Sequence, residues 1–109
     1  MDELLDGAIV EMNELQQPYL GTHHLFLSYL KNNKIEGIDY NLFKKYVIEI
    51  IGSCYKSSPY VIYTPFVRKL VNNFKDINSL INEILFNDDS IVHNILLSKN
   101  INIERLSNN

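Results

Sequence analysis

The sequence predicts an all-α fold, a small bundle of about five to seven helices. Apolar residues recur at the 3.6-residue period in successive windows along the 109 residues. Residues that start helices, among them Thr64-Pro65, Asp76 and Ser90, stand just ahead of those windows. No segment shows the sustained alternation of a half-buried strand.

The first helix is expected over 2–16. Leu4, Leu5, Ala8, Ile9, Met12 and Leu15 form its apolar stripe, opposite Asp2, Glu3, Asp6, Glu11 and Glu14. Pro18 ends it by pushing Gln17 toward extended geometry. Gly21 then turns the chain, and Thr22 is the expected cap of a helix over 22–32. Leu25, Phe26, Leu27, Tyr29 and Leu30 make that helix apolar on more than one side, so it belongs in the middle of the domain. Asn32 and Asn33 suit a left-handed C-cap.

Asp39 or Asn41 caps a third helix to about residue 51, with Phe43, Val47, Ile50 and Ile51 on its buried face and Gly52 as its stop. Residues 53–63 are the longest connector, aromatic through Tyr55, Tyr60 and Tyr63, and Tyr60-Val61-Ile62-Tyr63 suits a short extended piece. Thr64 at the cap and Pro65 at the first helical position open a fourth helix, buried through Phe66, Val67, Leu70, Val71 and Phe74. Asp76 caps a fifth, in which Ile77, Leu80, Ile81, Ile84 and Leu85 repeat at helical spacing. Asn87 to Ser90 turn and cap a sixth, with Ile91, Val92, Ile95 and Leu96. A short final turn covers 101–106, and 107–109 should fray.

Length and a 46% apolar content fit one domain with one core. No apolar run approaches the ~18–20 residues of a membrane span. The single cysteine, Cys54, allows no internal disulfide, which suits a cytoplasmic setting. A net charge of −3 and scattered basic pairs argue against nucleic acid as a partner. The mild charge and absence of heptads favour a monomer.

No pattern of residues supplies chemistry. His23 and His24 are adjacent, so on a helix they point about 100° apart and do not form an i, i+4 metal pair. One of the three histidines is expected at the core edge and the others at the surface. Cys54 has no base beside it and reads as a small apolar side chain. There is no Gly-x-Ser-x-Gly elbow and no phosphate loop. The expectation is no catalytic residue, no cofactor and no metal; a small enzyme using His23, His24 or His93 and a helix-turn-helix DNA reader are the weaker readings.

Three pieces, in order, resemble the N-terminal domain of Clp-type AAA+ unfoldases. Tyr19 to Leu30, Tyr-Leu-Gly-Thr-His-His-Leu-Phe-Leu-Ser-Tyr-Leu, is similar to the family's x-I-G-T-E-H-L-L-L-x-L-L. Tyr63 to Val71, Tyr-Thr-Pro-Phe-Val-Arg-Lys-Leu-Val, is similar to the Y-T-P-R-A-K-R-V-L of its second repeat. Asn87 to Leu97, followed by Asn100 to Leu106, resembles G-D-S-V-A-A-R-V-L and then G-V-D-x-x-x-L. Together they cover most of the chain. The resemblance implies a single degenerate two-repeat domain over 1–109, with one repeat at about 1–54, a loop over 55–63 and a second repeat at about 64–106.

It also implies a non-catalytic module that captures a Clp adaptor, an unfolded client or a Clp subunit. Its expected protein-binding residues are Thr22, His23, Tyr55, Tyr60 and Tyr63. The chain departs from the family in three ways. It begins partway into the family's first helix, leaves no room for a helix between Leu30 and Asp39, and lacks the second Gly-Thr-Glu-His element. His23 stands where the family usually has glutamate, a residue that helps bind phosphorylated arginine in some members. An imidazole offers no carboxylate to a guanidinium, so that route is not expected in this chain. A stand-alone relative acting as a regulatory or immunity-type interaction factor is the alternative.

Overall fold

A computed structural model describes residues 2–52, 62–74 and 76–108. Every residue from 21 to 30 is buried. These residues form most of α2 (Thr22–Asn32), and the other elements are α1 (Asp2–Glu14), β1 (Tyr19–Leu20), β2 (Ile35–Glu36), α3 (Tyr40–Ile50), β3 (Ile62–Tyr63), α4 (Pro65–Asn73), α5 (Ile77–Phe86), α6 (Ile91–Ser98), a 3-10 turn (Ile103–Arg105) and β4 (Ser107–Asn108). The expected all-α bundle is what the described residues form. The strands are two-residue stitches: β1 runs parallel to β3, and β2 antiparallel to β4.

The apolar stripe of α1 (Leu4, Ala8, Met12, Leu15) packs into the same core as Leu25, Phe26 and Leu27 of α2. The two helices approach closely at Gly7, where a Cβ would sit 2.3 Å from Ser28 Oγ. That hydroxyl donates to the Leu4 carbonyl at 2.9 Å, so the helix-weakening glycine is repaid by contact. Phe43 of α3 meets Phe26 edge to face, with ring centroids 4.9 Å apart. Val67 and Leu70 of α4, Leu80, Ile81, Ile84 and Leu85 of α5, and Val92, Ile95 and Leu96 of α6 complete the core.

The caps of α3, α4, α5 and α6 are the expected Asp39, Thr64, Asp76 and Ser90, each accepting from an amide of the first turn. Several ends differ from expectation. Gln16, with φ 54°, closes α1 through a bond from the Gln17 amide to the Met12 carbonyl, so the helix stops before Pro18 can act. Asn33 is extended, not left-handed; its amide and side chain both donate to the Tyr29 carbonyl. Ile50 and Ile51 are 45% and 42% exposed, because they lie at the far end of α3, beyond the core contacts made by Phe43 and Val47. Ser107 and Asn108 pair with Glu36 and Ile35, where fraying is the sequence expectation. Among the described residues, no helix is long and apolar enough to cross a membrane.

One polar brace crosses this core. The Glu11 carboxylate of α1 is 1% exposed and accepts from the Tyr40 hydroxyl, whose single proton faces both oxygens at 2.7 and 2.9 Å. Lys44 approaches it at 3.4 Å and Lys31 at 3.6 Å. Burial alone would lower the Lys44 ammonium, but hydrogen bonds to Tyr40 and Glu14 and the charge of Glu11 outweigh it and hold its pKa above the ordinary lysine value. Burial likewise raises the Tyr40 phenol.

Phe26 is fully buried, so Phe26→Ala is expected to cost about 3–5 kcal/mol in urea unfolding. Ile48→Ala, at a side chain 53% exposed, should cost roughly 0.5 kcal/mol or less. Equal losses at the two positions would contradict this burial. Tyr40→Phe keeps the ring but strips the buried carboxylate of its phenolic donor. Its expected loss is about 1–3 kcal/mol, and an unchanged unfolding midpoint would remove the brace from the account.

Candidate interaction site at the start of the central helix

The N-terminus of α2 lies inside the protein, so its polar groups need protein partners. Gly21, extended at φ −105° and ψ 175°, is the N-cap, and Thr22 is the first helical residue. This shifts the expected cap by one position and frees the Thr22 hydroxyl for another use. Its Oγ1 accepts from the Val92 amide and from Ser90 Oγ, each at 3.4 Å, and so ties α2 to the start of α6.

His23 and His24 follow, and both are buried, at 5% and 0% exposure. Neither is a core-edge or surface group. Side chains on a helix tilt toward its N-terminus, so adjacent imidazoles of the first turn lean back over the same space. His24 Nδ1 accepts from the Gly21 amide at 2.9 Å, which places its proton on Nε2. That Nε2–H donates to Gln17 Oε1 at 2.7 Å, and His23 Nε2 donates to the same oxygen at 2.7 Å. The amide nitrogen of Gln17 donates to the Gly52 carbonyl at 2.6 Å, which fixes the orientation of the amide. The rings stack at 3.9 Å between centroids, tilted by 41°.

His23 Nδ1 is buried with no hydrogen-bond partner among the described residues. It faces Gly21, where a Cβ would lie 2.7 Å from it and 2.5 Å from Cε1, so the glycine is required by close approach. Burial pushes His23 down to about 4. Burial and then the neighbouring His23 push His24 down to about 2. Both rings are therefore neutral at pH 7. His24 has no lone pair left for a metal, and the spare lone pair of His23 is shut in. Among the described residues no three His, Cys, Asp or Glu groups gather as a metal site.

Above this cluster lies a groove of about 360 Å³. Pro18, Tyr19, Ile51, Gly52, Thr64 and Ile91 line it, together with the buried Gln17 and His23. A larger hollow of about 660 Å³ follows the α2–α3 connection, lined among the described residues by 30–42.

Of the expected binding residues, Thr22 and His23 are interior, at 2% and 5% exposure; His23 lines this groove, whereas Thr22 is taken up by Ser90 and Val92. Tyr63 is half-buried in β3, opposite Leu20 of β1. Tyr55 and Tyr60 lie outside the described residues, as does Cys54. Gln17, Gly52 and Ile91 carry no sequence signal for this site; only the fold brings them together. His93 is half-buried, with Nδ1 donating to the Leu85 carbonyl at 2.8 Å and Nε2 3.5 Å from Asp88. No protein-family model matches the chain, and no curated protein matches it.

The imidazole pair sets a pH dependence. In the unfolded chain both rings take up protons below their ordinary 6.5, whereas the folded chain resists until about 4 and about 2. Their contribution is complete above pH 6.5 and is lost as pH falls from 6.5 through those folded values. At pH 5 each ring withdraws about 2 kcal/mol, at 1.36 kcal/mol per pH unit. The expected urea midpoint is therefore lower at pH 5 than at pH 7 by about 1 M or more. Glu14 and Glu49, held low by Lys44 and Lys99, titrate below their ordinary 4.5 and stay out of this window. Imidazole nitrogen shifts showing either ring titrating near 6.5 in the folded protein would overturn the assignment.

Proposed function

We propose that the chain is a non-catalytic protein- or peptide-binding module of the kind found at the N-terminus of Clp-type unfoldases, working in the cytoplasm with a Clp subunit, an adaptor or an unfolded client. The observation that carries this reading is a convergence in space. The three pieces of the resemblance lie far apart in sequence yet meet at the start of α2. Thr22 bonds to Ser90 and Val92, while Leu20 pairs with Tyr63 and its carbonyl accepts from the Thr64 amide at 3.0 Å. Motifs found together only by chance have no reason to share one end of one helix. The groove described above opens at that same place.

One observation favours the second reading, a stand-alone relative serving as a regulatory or immunity-type factor. At the signature position, His23 presents a shut-in neutral ring where the family has a carboxylate.

The test is a pull-down from source-cell lysate with the 1–109 chain as bait, read by mass spectrometry. A Clp ATPase, its adaptor or a defined client set should be enriched over a bead control. Reproducible enrichment of one protein unconnected with unfolding would transfer the conclusion to the second reading, and retention of nothing would sink both.

A further inference from the structure

We draw no further inference here: the strongest candidate, the groove lined by Tyr19, Ile51, Gly52 and Thr64 at the start of α2, lies at the two ends of the 53–61 connector, which is outside the described residues, and nothing in the structure shows what covers it.

Discussion

A helix end buried away from water must find protein partners for its polar groups, and the start of α2 is buried. That constraint organises the rest of the structure. The Gly21 amide is taken by the ring of His24, and the Thr22 hydroxyl receives the first residues of α6. The two imidazoles that result need an acceptor of their own. Gln17 supplies one oxygen to both and then uses its nitrogen to hold the end of α3. The segments on either side of α2 are thus placed by satisfying one helix terminus. Apolar burial supplies most of the driving force, but it is non-directional and would tolerate several registers. The polar contacts select among them.

The Glu11 brace does the same further along α2, with a different balance of terms. A buried carboxylate is costly, and pairing it with Lys44 and Lys31 does not guarantee a net gain. The phenol of Tyr40 helps make the burial tolerable, because its one proton lies at hydrogen-bond distance from the carboxylate oxygens, which the partly exposed lysines reach only at 3.4 and 3.6 Å. The two polar clusters lie on the elements that flank α2 in the N-terminal half. The helices α5 and α6 contribute chiefly aliphatic residues to the core. Register is therefore most tightly specified around α1, α2 and α3.

Much of this was legible in the sequence. Four of the six helix starts follow from a cap residue ahead of an apolar period, since capping is a local interaction whose partners lie within three residues. The burial of α2 follows from apolar residues on more than one of its faces. What was illegible depends on distant partners. Nothing local distinguishes Gln17 from any glutamine before a proline, and its role comes from Gly52, 35 residues away. The 100° rule for neighbouring histidines describes where side chains leave the helix; it does not describe where two long rings finish when both lean back over the first turn. Thr22 was misplaced by one position for a related reason: a hydroxyl with a remote donor is no longer needed as a cap. The outward end of α3 escaped because a period marks a face of a helix without saying how far along that face the core extends.

Positions 17 and 23 form one unit, and this bears on what kind of chemistry the site can hold. The His23 ring donates to an amide oxygen that already accepts from His24. An acceptor-only side chain at 23, such as the carboxylate of the resembling family, would place oxygen against oxygen at that spot. Gln17 would have to turn its nitrogen inward, which takes the donor away from the Gly52 carbonyl and releases the end of α3 that forms one side of the groove. A cation-binding carboxylate and this neutral imidazole pair are thus alternative solutions of the same few residues. Choosing the imidazole closes the route to a guanidinium and, through the same hydrogen bonds, ties the end of α3 to the segment ahead of β1.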